Sequence, residues 1–409
     1  MRLNRVVITG MGAVSPYGRG RDLLFSSLLA GKSCIKRVPA LEEMEGVLTR
    51  VGGLVPEIGI SGIPRKIRRS MSPMSAYAYL AALEAMEQAG AGEELAQSGR
   101  LGIALGSTLG SPETLEEFFR AYLCGGGAGQ MKSMFFFRSM GHSAAANTAQ
   151  ALGLRGRVIA PAAACASGTQ AIGLAFEAVA FGRQDYMLCG GCDEYHPLVS
   201  CTFDLMAAAS SAFNGEPELC PRPFDRRRDG VVCAEGAGVL FIESDKSARE
   251  RKAPVLAEIL GFACSGDEGG IAEPSPESIA ACMRSALADA GARAEDVSYI
   301  NAHATGTELG DVAEARAVAA LFGDKTPVSS LKGHLGHTMA ASGALETVAV
   351  VEMLRRKVIL PTRNLEEPDE RCAGVFLPQK PVEIRGGLVV KNSFALGGVN
   401  CSLVLRSGA

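Results

Sequence analysis

One cysteine stands where chemistry is easiest to build. Cys165 lies in the run Val158-Ile159-Ala160-Pro161-Ala162-Ala163-Ala164-Cys165-Ala166-Ser167-Gly168-Thr169-Gln170-Ala171-Ile172-Gly173, where an apolar stretch meets small residues and an Ala-rich segment follows. Strand, tight turn and helix in that order put the thiol at a helix N-terminus. The positive end of the backbone dipole stabilises thiolate there and lowers the pKa from ~8.5. The sequence therefore predicts a nucleophile that needs no dedicated base. Free cysteine is also common in apolar cores, and Cys34, Cys201, Cys264 and Cys401 read that way, as do most of the others. Cys189-Gly190-Gly191-Cys192 is a C-x-x-C without a second pair or a histidine pair, which argues against zinc.

The chain has only five histidines, and two of them sit where apolar runs enter glycine-rich turns. These are His303, in Asn301-Ala302-His303-Ala304-Thr305-Gly306, and His337, in Leu331-Lys332-Gly333-His334-Leu335-Gly336-His337. A neutral imidazole donates a hydrogen bond, so a converging pair would stabilise an enolate-like oxygen on a thioester. Each alone is more often a satisfied structural group, and His142, His196 and His334 are left as structural. Lys332 precedes His337, while Asp311 and Glu314 follow His303. An ammonium paired with a carboxylate behind the histidines would fix their orientation; a solvated surface pair is the other reading.

These groups need a scaffold. Short β-branched or apolar runs recur at Val6–Thr9, Leu101–Leu105, Val158–Ala160, Tyr186–Cys189 and Val239–Ile242, with Ala-rich helical stretches such as Met74–Ala89 and Thr169–Phe181 between them. After the charged segment Ser244–Pro254 the pattern restarts at Val255–Leu260, Val297–Asn301, Pro327–Ser329, Leu388–Lys391 and Cys401–Leu405. Alternation of this kind predicts an α/β fold in two tandem halves, residues 1–250 and 251–409, with the chemistry at strand C-termini. The composition agrees: 409 residues, 47% hydrophobic and 21% charged, describe a folded chain with a sizeable core. A net charge of −3 gives no electrostatic reason for nucleic-acid binding. The N-terminal apolar run is too short for a signal peptide, no stretch reaches ~18 apolar residues, and scattered cysteines suit a reducing compartment, so a cytoplasmic protein is expected.

At these residues the sequence resembles the β-ketoacyl-acyl-carrier-protein synthases of the elongating type, in the thiolase superfamily. Five ordered motifs carry the resemblance over nearly the whole chain: Val7-Ile8-Thr9-Gly10-Met11-Gly12, the Cys165 elbow, Pro223-Phe224-Asp225-Arg226-Arg227-Arg228-Asp229-Gly230 with Glu235-Gly236-Ala237-Gly238, the His303 turn, and the turn from Lys332 to His337. It implies a five-layer αβαβα thiolase fold, a homodimer or heterodimer, and no cofactor or metal. It implies that Cys165 takes an acyl chain from acyl carrier protein by thioester exchange. His303 and His337 then assist decarboxylation of malonyl-carrier protein, and the carbanion extends the chain by two carbons. The backbone amides of Cys165 and Leu396 would form the oxyanion hole, and Lys332 would pair with Glu314, with Asp311 and Glu346 as further support. The basic cluster Arg65, Lys66, Arg68 and Arg69 would dock the acidic carrier protein.

Two departures bear on the acyl pocket. Where the family has Gly-Phe-Gly, with a phenylalanine gate beside the cysteine, this chain has Ala395, Leu396 and Gly397 after Phe394, so the gate is smaller. Gly-Ala-Ala-Gly after the second histidine becomes Ala340-Ala341-Ser342-Gly343. Leu109 matches a position whose bulk limits chain length, which predicts a leucine in the pocket wall. These changes suggest a specialised condensing enzyme making a polyene or polyketide-like acyl chain rather than housekeeping fatty acids. The alternatives are a non-catalytic chain-length partner, against which Cys165, His303 and His337 argue, and a coenzyme A thiolase, which would need a second cysteine where Ser393 and Phe394 stand.

Overall fold

The computed structural model describes residues 3–125, 127–384 and 386–408. Met1 and Arg2 of the N-terminal run, and Gly126 of the glycine-rich stretch after Cys124, lie outside them. Ten strands follow one path through a mixed sheet, and the short strand Gly18–Arg19 adds an eleventh by pairing with the first. In chain order they are β1 (Val6–Ser15), β2 (Leu101–Gly106), β3 (Val158–Ile159), β4 (Tyr186–Asp193), β5 (Gly236–Ser244), β6 (Ala257–Gly266), β7 (Val297–Asn301), β8 (Val328–Ser329), β9 (Leu388–Ala395) and β10 (Val399–Ser407).

Their spatial order is β3-β2-β4-β5-β1-β6-β10-β9-β7-β8. Each set of five is arranged alike: outward from the centre come its first, fifth, fourth, second and third strands. The senses match too. The outer pairings β2–β3, β2–β4, β7–β8 and β7–β9 are parallel, and the inner ones are antiparallel. The sets meet where Val6, Val7 and Ile8 of β1 face Ile259, Glu258 and Ala257 of β6.

Six helices cover this sheet: α1 (Pro73–Ala89), α2 (Ser143–Leu152), α3 (Ser167–Ala180), α4 (Pro276–Asp289), α5 (Glu308–Phe322) and α6 (Ala340–Arg356). Helices α3 and α6 touch strands of both sets and lie between them, α1 covers β1 and β5 from outside, and α4 covers β6 and β10. The result is the five-layer thiolase arrangement. Helix α6 lies inside, since Ala340 through Leu354 are all buried, and the two carboxylates in that stretch, Glu346 and Glu352, are held by ion pairs. Arg355 and Arg356 end it and pair with Glu352.

Close approach dictates several residue choices. A Cβ at Gly10 or Gly12 would lie 2.0 Å from the carbonyl oxygen of Ala85 or Ala81, so β1 and the alanine face of α1 fit only with glycine. At the centre a Cβ on Gly168 would meet the carbonyl oxygen of Ala340 at 2.1 Å, and one on Gly343 would meet Thr169 Oγ1 at 2.4 Å. That contact brings the first turn of α3, next to Cys165, against the first turn of α6, next to His337.

Candidate active site

Cys165 sits in a short 3-10 turn, Ala164–Ala166, that leads directly into α3. The residue before it, Ala164, is held at φ +46, and Met339, between His337 and α6, is held at φ +52. Such positions cost roughly 1–3 kcal/mol each in non-glycine residues and persist only where surrounding contacts enforce them. The contacts are present. Ser167 Oγ donates to the Ala164 carbonyl at 2.7 Å and accepts from Ala163 N at 2.8 Å, and Thr108 Oγ1 donates to the same carbonyl at 3.3 Å. Asp193, at the end of β4, accepts from Ser107 Oγ at 2.7 Å, Thr108 N at 3.0 Å and Ala340 N at 2.8 Å. One carboxylate thus ties the turn after β2 to the start of α6.

The histidines converge as their spacing suggests. The His303 and His337 rings meet edge to face with centroids 5.3 Å apart, and the Phe394 ring centroid stands 6.2 Å from that of His303. His337 Nδ1 meets Ser342 Oγ at 3.0 Å, while its Nε2 is buried without a partner. With serine donating, the ring proton rests on Nε2 and is available to a substrate oxygen. The His303 turn is held from the first turns of α5. Glu314 accepts from His303 N at 2.9 Å and Ala304 N at 2.7 Å; Asp311 accepts from Thr305 N at 3.0 Å, Gly306 N at 3.1 Å and Phe224 N at 2.8 Å. Burial pushes Asp311 up to about 6 and Glu314 up to about 7.

The lysine pairs with a different carboxylate from the one expected. Lys332 Nζ meets Glu346 Oε1 at 2.5 Å, not Glu314, whose oxygens are taken by backbone amides and by Asn392 Nδ2 at 3.1 Å. Glu346 is shared. Lys391 Nζ reaches its other oxygen at 2.9 Å and donates to Asn392 O at 2.6 Å and Ser393 Oγ at 2.7 Å. Ser393 Oγ and Thr169 Oγ1 lie 2.8 Å apart, so the ion network runs on to α3. Lys391 and Asp193 escaped the sequence reading. The available signals were a lysine inside the apolar run of β9 and an aspartate ending the buried run of β4.

Electrostatics set the resting protonation states. Burial, reinforced by Lys332 and then Lys391, drives His337 well below the ordinary histidine range, and burial with Lys332, His337 and Lys391 does the same for His303. Both rings are neutral. Burial pushes the Cys165 thiol up to about 12, against the pull of Lys332 and of the backbone N–H groups of Cys165 and Leu396. The thiolate expected from the helix terminus is therefore not the resting state, because desolvation outweighs the dipole. Sulfur and imidazole instead stand as neutral thiol and neutral base.

Cys165, His303, His337, Phe394, Ala395 and Leu396 line one cavity of about 410 Å³, with Phe203, Met206 and Ile271 adding apolar wall. Leu109 does not line it. The turn after β2 carries that side chain to the surface, where it is 55% exposed, so the expected chain-length role has no basis in this structure. Cys189 and Cys192 face opposite sides of β4 and pack in different core clusters, so they cannot ligate one metal. Arg65, Arg68 and Arg69 line a groove separate from the cavity, with Arg138 beside them, and Lys66 is exposed on the same short helix. Among the described residues no helix is long and apolar enough to cross a membrane.

Comparison with known proteins accords with this geometry. The family model for the β-ketoacyl synthase N-terminal domain matches residues 3–248, and that for the C-terminal domain matches 256–366. The chain is 34% identical to 3-oxoacyl-[acyl-carrier-protein] synthase 1 of Haemophilus influenzae, covering 99% of each chain. It is 38% identical to nodulation protein E of Rhizobium leguminosarum bv. trifolii over 98% of this chain and 99% of the relative. Among solved structures, a β-ketoacyl synthase from Burkholderia phymatum STM815 superposes over 100% of both chains with a TM-score of 0.96 and 40% identity.

Proposed function

The chain belongs to the β-ketoacyl synthase family, and from that premise we propose that Cys165 is its acyl carrier and that His303 and His337 are its paired hydrogen-bond donors. The enzyme is a condensing acyltransferase that works with acyl carrier protein. The observation that carries the site assignment is the convergence of a buried thiol and two neutral imidazoles on one cavity. An acyl-carrier thioester enters, His303, whose Nδ1 has no partner to fix its tautomer, accepts the Cys165 proton, and sulfur attacks the carbonyl. The oxygen gains its negative charge between the amides of Cys165 and Leu396, and loss of such a donor costs about 3 to 4 kcal/mol of barrier stabilisation. The carrier thiol leaves with the proton.

Malonyl-carrier protein then takes its place. Cleavage of the carboxylate bond releases carbon dioxide and leaves an enolate whose oxygen receives hydrogen bonds from His303 and His337. The two-carbon fragment attacks the Cys165 thioester, a carbon–carbon bond forms, and the sulfur leaves and is reprotonated. Lys332, Glu346 and Lys391 fix the ground on which the rings stand, and Glu314 and Asp311 shape the His303 turn.

Arg65, Lys66, Arg68 and Arg69 supply the cationic surface for the acidic carrier protein. A homodimer is supported by the outer edge of β3, unpaired among the described residues, where Val158 is 51% exposed, and a cytoplasmic location by twelve cysteines without a disulfide. The smaller gate at Leu396 favours acyl chains that a phenylalanine would exclude, in fatty-acid or polyketide-like synthesis. The repeated strand order supports division into two halves near residue 250. Mass spectrometry of carrier-protein products after incubation with malonyl-carrier protein and a panel of primers tests the proposal. A β-ketoacyl product two carbons longer, absent with Cys165→Ala, is expected; an equal yield from that variant overturns the assignment.

A further inference from the structure

A second pair of thiols lies outside the catalytic cavity. Antiparallel strands β6 and β10 set Cys264 directly opposite Cys401. Opposed residues of an antiparallel pair share a face with Cα atoms ~4.5–5.5 Å apart, within the span that disulfides bridge. Cys264 is exposed while Cys401 is fully buried beneath it. Gln170 Nε2, from α3, donates to Cys264 Sγ at 3.4 Å. Two residues beyond Cys264 the strand ends, and the next residue, Asp267, accepts from Asn400 Nδ2 at 2.9 Å, both residues lining the cavity.

We infer that Cys264 and Cys401 form a reversible modification site for peroxides, an exposed attacking thiol backed by a buried resolving one. The Cys264 thiolate attacks one peroxide oxygen, the O–O bond breaks, and a sulfenic acid forms while hydroxide or alkoxide departs and takes a proton. The Cys401 thiol then attacks the sulfenic sulfur, the S–S bond forms, and water leaves. Two electrons pass from the sulfur pair to the peroxide. The surroundings make Cys264 the first sulfur to attack, because the hydrogen bond with Cys264 and then burial hold Cys401 as a thiol. The hydrogen bond with Cys401, then that from Gln170, draw Cys264 down to about 6, against burial and Glu177 of α3. Cys282 of α4 is a neighbouring thiol whose Sγ instead donates to Ala263 O at 3.7 Å. Cys165, pushed up to about 12, stays a thiol. The peroxide is thus consumed away from the catalytic sulfur, and the new bond joins the strands that carry Asp267 and Asn400 to the cavity wall.

The test uses the full-length protein with one equivalent of hydrogen peroxide, alkylation of free thiols, digestion without reductant, and mass spectrometry. The expected product is a peptide linking Cys264 to Cys401, reversed by dithiothreitol, with Cys165 recovered alkylated. Its rate of formation falls about tenfold from pH 7 to pH 5, following the thiolate fraction. In Cys401→Ser, Cys264 sulfenic acid accumulates and is trapped by dimedone, with condensing activity retained. Recovery of both cysteines alkylated while Cys165 or Cys124 is oxidised overturns the proposal. So does a link from Cys264 to any other cysteine, its own counterpart in a second copy included.

Discussion

Glu346→Gln removes the carboxylate that ion-pairs with both buried ammoniums and changes almost nothing else in shape. The Lys332 and Lys391 side chains are 0% exposed and that of Glu346 is 2% exposed, so no solvent is available to compensate. Breaking a buried pair costs about 3–5 kcal/mol, because the remaining charge stays desolvated. An unfolding entropy of ~2.1 cal/mol/K per residue gives ~0.9 kcal/mol/K for a chain of this length, so the loss lowers the unfolding midpoint by about 3–6 °C. Burial already lowers the Lys391 pKa, and without the carboxylate it falls further, so part of the loss is recovered as pH rises and that ammonium gives up its proton. Scanning calorimetry of wild type and variant reads both effects. In a Lys391→Met background the same change strands one ammonium rather than two, and the loss shrinks. A midpoint within about 1 °C of wild type, or an equal loss in both backgrounds, would refute the claim that one carboxylate holds both lysines.

Other expectations follow from the same geometry. His334 is buried, its Nδ1 lacks a partner, and its pKa is pushed down to about 3. The unfolded chain binds the proton that the folded chain refuses, so stability falls as pH drops below about 6, and His334→Leu lessens that slope by about 1.4 kcal/mol per pH unit in acid denaturation; an unchanged slope contradicts the assignment. Glu314 has the opposite sign, since its folded pKa of about 7 lies above the ordinary value. It binds a proton in the folded state first, so stability at this group declines as pH rises from about 4.5 to 7, and Glu314→Gln flattens that limb while weakening the His303 turn and lowering kcat. Leu396→Phe narrows the cavity beside Cys165 and lowers kcat/KM for bulky primers tenfold or more, relative to short ones, in a primer competition assay; unaltered selectivity would remove Leu396 from the gate.

Much of the site was legible because its groups stand at punctuation marks in the chain. Cys165, His303 and His337 each follow an apolar run that ends in small residues, and a strand end is where an α/β sheet presents side chains. The alternation of strands and helices was visible for the same reason. What escaped depends on contacts between distant segments. Lys391 meets Glu346 across 45 positions of sequence, and nothing local in Lys391 says so; its signal was only that a charge interrupts an apolar run. The same blindness mistook the partner of Lys332. The acidity of Cys165 was misread because the helix terminus is local, whereas the burial that outweighs it is assembled from distant segments, Cys233, Met339 and Phe203 among them. Leu109 was misplaced because a motif position does not fix the direction in which a turn aims its side chain.

The most direct measurement is intact-protein mass spectrometry after brief exposure to an acyl-carrier thioester without malonyl donor. One acyl group should appear per chain, map to Cys165, and leave as a β-ketoacyl product once malonyl-carrier protein is added. Acylation at another residue, or an acyl-enzyme that persists unchanged in the presence of malonyl-carrier protein, would contradict the account.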